Sequence, residues 1–283
     1  MKALKPILKL LISILILFFV LKKIELPVLL DTLKSANLLY LLLAFLLFVI
    51  SQYCSSLRLL YFFRNIKIVL SKGYNWKLYL LGMYYNLLLP GGIGGDGYKV
   101  FILDKEHQAG KGNLIKALLF DRLSGLLALG IWLCSLLGLY SIVELNFTGY
   151  AVILAAISLL AILGSYLLLK YFSTVHFPNF FPSLGLSLLI QGLQLAVCLA
   201  LLASFGANQH ILAYLTLFLV SSIAAVIPIT FGGAGARELT FLAGAEYFPV
   251  EINIAIGLSV IFYIITVLTS LLGLYYSFKQ EIK

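Results

Sequence analysis

The sequence predicts an all-α integral membrane protein, a polytopic bundle of helices. Of its 283 residues, 62% are hydrophobic and only 11% are charged, whereas soluble domains average about 25% charged residues. Apolar runs of about 20 residues, the length that a helix needs to cross a bilayer, recur along the whole chain. The net charge of +9 comes from Lys and Arg in short loops between these runs. This is typical of membrane topology and argues against nucleic acid as a partner.

Six segments are long enough to cross the membrane: residues 6–24, 38–62, 117–141, 149–171, 182–205 and 251–276. The first starts with basic residues like a secretory signal, but it lacks a small-residue cleavage site, so we expect a retained span. Residues 74–90 and 211–230 are doubtful. The former offers roughly 20 Å of apolar helix against a hydrocarbon core of about 30 Å, and the latter ends in a glycine cluster.

The distribution of Lys and Arg decides between the two ways of treating the doubtful segments. If all eight segments cross, nine basic residues lie on each side and the usual cytoplasmic excess disappears. If the doubtful segments are re-entrant hairpins, fourteen basic residues lie inside and three outside. We therefore predict six crossings plus two hairpins in the cytoplasmic membrane, with both termini cytoplasmic. Eight transmembrane segments are the alternative.

This topology predicts an internal symmetry within one membrane domain. Residues 1–141 and 142–283 each read as span, span, hairpin, span, and three crossings per half make the second half inverted relative to the first. The glycine-rich stretches NLLLPGGIGGDGYK and PITFGGAGARE contain Pro90 and Pro228, which lie 138 residues apart. Inverted repeats with helices broken at matching positions indicate a transporter-type binding site near the midplane.

The glycine breaks themselves predict a polar site. Irregular backbone at membrane depth needs protein or water to satisfy its polar groups, and exposed amides in a glycine turn form a nest for an anion. Short helices resuming at Gly97–Leu103 and Ala236–Ala245 would direct their positive N-terminal ends at that site. Lys99 and Arg237 would add positive charge. The alternative interpretation is that both clusters serve tight helix packing or a sharp loop.

Charged side chains in or beside apolar segments are costly and mark cavities or pathways. The six are Arg58, Asp96, Asp121, Arg122, Arg237 and Glu238. An alternative role is ion pairing that holds helices together, above all for Asp121 and Arg122, whereas the position of Arg237 favours binding. Asn86 is placed to hydrogen-bond carbonyls freed by the first break. The cysteines and histidines show no metal-ligand spacing, so we expect neither metal nor cofactor, and no catalytic residue is predicted.

Three blocks together resemble the lysylphosphatidylglycerol synthase transmembrane family, also called flippase-like domain proteins. The family pattern has an N-x-x-L-P-G-x-x-G-G-D block, an E/D-R pair opening a later helix, and a P-x-x-x-G-G-x-G-x-R-E block. NLLLPGGIGGDGYK, FDRLSGL (Phe120–Leu126) and IPITFGGAGARE (Ile227–Glu238) match them in order. In the best-known members, this region moves aminoacylated phosphatidylglycerol to the outer leaflet, and a soluble domain performs the aminoacyl transfer. Because the sequence ends at Lys283, shortly after the last span, we expect a stand-alone membrane domain without that synthase activity.

The resemblance implies headgroup-binding positions, to which Lys99 and Asp121 are added because of their charge. The substrate-binding set is Asn86, Pro90, Gly91, Gly94, Gly95, Asp96, Lys99, Asp121, Arg122, Pro228, Gly232, Gly233, Gly235, Arg237 and Glu238.

The leading functional hypothesis is a translocator of an anionic phospholipid or a polyprenyl-linked lipid. Its phosphate would be held by backbone amides, Arg237 and Arg122, and the two halves would rock to open the site to each leaflet in turn. Asp96, Asp121 and Glu238 are the candidates for proton coupling.

One alternative is a membrane-embedded transferase acting on a lipid-linked sugar or headgroup, with Asp96 or Glu238 as a base, although a D-x-D motif is absent. Another is a transporter of small solutes or ions. A homo-oligomer or a separate lipid-modifying enzyme is a further candidate partner.

Overall fold

The computed structural model describes residues 26–88, 94–172, 179–226 and 235–278, and every regular element in these ranges is an α-helix. The helices are α1 (Leu26–Lys34), α2 (Leu38–Asn65), α3 (Lys72–Leu88), α4 (Gly94–His107), α5 (Lys111–Val143), α6 (Gly149–Phe172), α7 (Phe180–Ser204), α8 (Ile211–Val226), α9 (Ala236–Gly244) and α10 (Ile252–Phe278). The predicted all-α membrane fold is confirmed.

Five described helices are long and apolar enough to cross a membrane: α2, α5, α6, α7 and α10. They match five of the six predicted spans, and the predicted span at 6–24 lies outside the described residues. No residue in the most apolar stretch of α6 is buried inside the protein. Such a helix is stable only where its apolar side chains face lipid, which agrees with an integral membrane protein.

The two doubtful segments form short helices, each followed by another. With 17 residues in α3 and 16 in α8, they extend about 26 Å and 24 Å at 1.5 Å per residue, short of a core of about 30 Å. The helix α4 begins at Gly94, three residues before the predicted start, so Gly94 and Gly95 are helical. The intervening residues, 89–93 and 227–234, lie outside the described part of the chain.

Helix contacts link the two halves of the sequence. The most extensive contact between described helices is that of α2 with α7. The short helix α3 packs on α10, and α8 packs on α5, so each contacts the last helix of the other half. Within each half, α4 packs on α3 and α5, and α9 packs on α8 and α10.

Apolar side chains form two buried clusters. One joins α2, α3, α4 and α5 through residues such as Phe63, Leu78 and Leu103. The other includes side chains of α2, α5, α7, α8, α9 and α10. Within it, Phe262 meets Phe48 and Phe218 edge-on, at ring-centroid distances of 5.4 Å and 5.0 Å. The two clusters hold α4 and α9 in fixed positions beside the breaks.

Gly95 lies where the backbones of α3 and α4 touch. A Cβ built on Gly95 would lie 2.0 Å from the carbonyl oxygen of Gly82, whereas nothing lies within 4 Å of one built on Gly97. We therefore expect Gly95→Ala to destabilise the protein by about 1–3 kcal/mol, the usual cost of overpacking. Gly97→Ala should be neutral or slightly stabilising, because alanine favours helix.

Thermal melting of both variants in detergent checks the contact between α3 and α4. Because the substitution and the helix are the same, the difference in melting temperature isolates the steric effect. Equal melting temperatures would contradict the close approach of the two helices.

Candidate functional site

A cavity of about 410 Å³ lies between the two halves of the chain. Its walls come from α2, α3, α5, α7, α8, α9 and α10. The polar residues of the wall are Gln52, Ser55, Arg58, Tyr79, Asn86, Arg122, Gln191, Gln194, Arg237, Tyr263, Thr266 and Ser270. Three guanidinium groups in one partly open cavity, inside a bundle of membrane helices, mark this cavity as the candidate functional site.

The first arginine, Arg58, is held by a bidentate ion pair. Its Nε and Nη2 donate to the two carboxylate oxygens of Asp121 at 2.8 Å and 3.1 Å, and its Nη1 donates to Ser187 Oγ at 3.1 Å. Both side chains of the pair are largely buried. A Cβ on Gly125 would approach Nη1 to 3.1 Å, so a glycine at this position leaves room for the guanidinium. The pair ties α2 to α5.

The second arginine, Arg122, shares Asp96 with Lys99. Arg122 Nε donates to Asp96 Oδ2 at 2.7 Å, and Lys99 Nζ donates to Oδ1 at 3.2 Å. The ammonium of Lys99 also lies 5.0 Å from the ring centroid of Tyr79. The side chain of Arg122 is 39% exposed, against 16% for Asp96. The guanidinium therefore faces the open space and the carboxylate lies behind it.

The third arginine, Arg237, makes its direct contacts in the described part of the chain with neutral groups. Its Nη1 donates to Ser221 Oγ at 3.3 Å and to Ser222 Oγ at 3.1 Å. Its guanidinium carbon lies 4.7 Å and 5.7 Å from the ring centroids of Phe262 and Phe218. Among the described residues, the ion pairs are those of the first two arginines and of Lys99, and none includes Arg237.

Glu238, the next residue, points to a different environment. Its two carboxylate oxygens accept from the backbone N–H of Gly235 and from Ser259 Oγ, both at 2.8 Å. Gly235 has φ of +87°, a backbone conformation that glycine adopts without strain. Glu238 therefore fixes the start of α9, which positions Arg237, and it does not neutralise that cation by a direct ion pair.

Asn86, on α3, contacts the start of α4 across the first break. Its Oδ1 accepts from the backbone N–H of Gly95 at 2.8 Å. It thus satisfies an amide in the first turn of α4, where N–H groups lack helical partners. The Gly95 amide is therefore engaged within the protein, and the bonding of carbonyls at the break by Asn86 stays a prediction because residues 89–93 lie outside the described part of the chain.

The predicted site residues divide into three sets. Those that line the cavity are Asn86, Arg122 and Arg237, and those that lie behind the wall or at the helix starts are Gly94, Gly95, Asp96, Lys99, Asp121, Gly235 and Glu238. Pro90, Gly91, Pro228, Gly232 and Gly233 lie outside the described residues.

Sequence reasoning missed most of the polar wall, including the three glutamines. A usable signal was present, because Gln52, Ser55 and Arg58 recur every three residues on α2, and Gln191 and Gln194 do so on α7. Residues with this spacing share one face of a helix. Within the described part of the chain, no three His, Cys, Asp or Glu side chains come together as ligands for a metal ion.

The helices and the cavity together define a polytopic membrane protein with an arginine-lined cavity between the two halves of its sequence. The chain belongs to the lysylphosphatidylglycerol synthase transmembrane-region family, whose model matches residues 7–273. The resemblance inferred from the sequence blocks is thus confirmed, and it links the protein to membrane lipids. No curated protein and no solved structure matches the chain.

Proposed function

We propose that this protein translocates lipids with a phosphate-bearing headgroup between the leaflets of the cytoplasmic membrane. The observation that carries the proposal is Arg237, a guanidinium on the cavity wall that forms no ion pair with any described residue. A cation taken out of water is costly unless an anion accompanies it. A ligand phosphate would supply that anion, because its oxygens match the planar donor fork of arginine.

Arg122 would act as a second cation on the same wall. Its side chain is more exposed than that of Arg58, at 39% against 9%, so a ligand reaches it more easily. One edge of the Arg58 guanidinium is covered by Asp121 and its Nη1 donates to Ser187, so Arg58 would shape the cavity electrostatically without contacting the phosphate. The headgroup would thus bind between α5 and α9, one helix from each half of the sequence.

Translocation would follow from rocking of two inverted halves, residues 1–141 and 142–283. Support comes from the cavity wall, to which the last helix of each half contributes, with Arg122, Gly125 and Leu129 on α5 and Tyr263, Thr266 and Ser270 on α10. A site built from equivalent positions of two repeats can open to either side when one repeat moves against the other.

The experiment uses purified protein in vesicles that contain phospholipids labelled on an acyl chain. A membrane-impermeant quencher removes the outer-leaflet signal, and we expect the protein to make the inner-leaflet pool accessible as well. In protein-free vesicles, the label in the inner leaflet should stay protected from the quencher. Unchanged lipid masses after the reaction would distinguish translocation from group transfer. The proposal would be contradicted if the inner-leaflet label stayed protected from the quencher for anionic, aminoacylated and polyprenyl lipids alike.

The proposed topology, with both termini cytoplasmic and two hairpins, is tested separately. A cysteine replacing Lys105, near the end of α4, should resist labelling from outside intact cells by an impermeant reagent. Efficient labelling there would favour eight full crossings.

A further inference from the structure

The two arginine–aspartate pairs at the cavity differ in how the carboxylate is used. Asp121 accepts with both oxygens from Arg58, at 2.8 Å and 3.1 Å. Asp96 gives only Oδ2 to Arg122, at 2.7 Å, because its Oδ1 accepts from Lys99 Nζ at 3.2 Å. In the described part of the chain, Arg58 thus engages the whole of its carboxylate, whereas Arg122 shares its carboxylate with a second cation.

Lys99 is placed to contact Asp96 but not a ligand. Its side chain is 8% exposed and does not line the cavity. The ammonium lies 5.0 Å from the ring centroid of Tyr79, and a Cβ built on Gly82 would lie 2.6 Å from Lys99 Cε. The aromatic ring and the close backbone of α3 thus hold the lysine behind the wall, and an effect on a bound ligand would pass through the Asp96 carboxylate.

A carboxylate that bridges two cations neutralises each of them only in part, because its attraction is divided between them. Arg122 lies on the cavity wall and its side chain is 39% exposed. The positive charge that Asp96 leaves uncompensated on Arg122 is therefore presented to the cavity.

Building on the proposed function, we infer that Lys99 is a positioning residue for the headgroup phosphate. By holding one oxygen of Asp96, it prevents the carboxylate from pairing fully with Arg122, which keeps positive charge for the phosphate. Asp96 has the opposite effect and limits how tightly the phosphate binds. Such a limit suits a translocator, since a site that passes its ligand on must also release it.

The test measures the initial rate of translocation of acyl-labelled phosphatidylglycerol as a function of its mole fraction in the vesicles, which gives an apparent KM. Asp96→Asn keeps the shape of the side chain and an oxygen acceptor for Arg122 but removes the charge. We expect its apparent KM to fall by about five- to tenfold. Lys99→Met keeps an unbranched side chain and leaves Asp96 to Arg122 alone. Its apparent KM should rise by about the same factor, and by more than its maximal rate changes.

The double variant Asp96→Asn/Lys99→Met tests the route through the carboxylate. Without a carboxylate to share, the lysine replacement should change the apparent KM of Asp96→Asn by less than about twofold. A change as large as that caused by Lys99→Met alone would show that the lysine charge acts directly on the phosphate, which would overturn the inference.

Matched controls are available on the same helix. Asp104→Asn and Lys105→Met make the same two changes near the end of α4, at residues that do not line the cavity. Both variants should keep the apparent KM of the wild type. A shift of KM in these controls as large as in the site variants would overturn the assignment to Asp96 and Lys99.

The outcomes separate this inference from the function on which it rests. Failure of the wild type to move the labelled lipid would contradict translocation itself. If the wild type moves the lipid and both single variants shift the apparent KM in the same direction, or leave it unchanged, the inference is overturned and translocation stands. A purely structural role would lower the maximal rate at an unchanged KM, because it reduces the amount of active protein. Should Asp96→Asn fail to fold, as judged by melting in detergent, an apparent KM of Lys99→Met no higher than that of the wild type would still overturn the inference.

Discussion

Arg237→Ala is expected to slow lipid translocation in reconstituted vesicles by about tenfold or more, the loss that accompanies removal of a strong charge-assisted hydrogen bond. The guanidinium faces the cavity with only two serine hydroxyls as hydrogen-bond acceptors among the described residues. A ligand phosphate would be its anionic partner. Arg237→Lys should recover part of the rate, because it keeps the charge and loses the planar fork.

Arg64→Ala is the matched control for this experiment. Arg64 also lies near an aromatic ring, with its guanidinium carbon 5.9 Å from the ring centroid of Tyr61, but it is exposed and lies outside the cavity. Its replacement should leave the rate unchanged. Melting temperatures of both variants in detergent would identify a loss caused by unfolding. Wild-type rates for a folded Arg237→Ala protein would contradict a phosphate site at this residue.

Asp121→Asn is expected to have the largest effect on stability. The substitution leaves Arg58 buried without its charged partner, and breaking a buried ion pair typically costs about 3–5 kcal/mol. The side chains of Arg58 and Asp121 are 9% and 13% exposed, so water offers little compensation. The free energy of unfolding, measured by chemical denaturation in detergent, provides the comparison with the wild type.

Two controls show whether the loss comes from an unpaired charge. The double variant Arg58→Met/Asp121→Leu removes both charges and should regain most of the stability, since apolar replacements of a buried pair are often neutral or stabilising. Glu144→Gln changes an exposed carboxylate after the end of α5 and should stay within about 0.5 kcal/mol of the wild type. A double variant no more stable than Asp121→Asn would contradict this account.

Length and apolar composition alone were sufficient to predict most of the architecture. A bilayer accepts only apolar helices that satisfy their own backbone, so α2, α5, α6, α7 and α10 could be predicted from their composition. The same argument marked residues 74–90, which contain most of α3, as short, whereas residues 211–230, which contain α8, were doubtful because they end in a glycine cluster. The helix α1 and the start of α4 at Gly94 were not predicted, because their positions depend on neighbours. The α1 helix packs on α10, and the glycines of α4 allow it to touch α3.

The roles of the charged residues were decided by the tertiary structure. Asp121 and Arg122 are adjacent in sequence, yet one pairs with Arg58 on α2 and the other with Asp96 on α4. Successive residues of a helix point about 100° apart, so neighbours in sequence face different helices. Within the described part of the chain, the lack of an ion pair at Arg237 and of a hydrogen bond at the side-chain oxygen of Gln191 likewise depends on which groups other helices bring near them. Whether a segment partitions into the bilayer depends on the composition of that segment alone, so it can be predicted from the sequence. Which side chains form hydrogen bonds between helices depends on how two segments pack together, so it is decided only in the folded bundle.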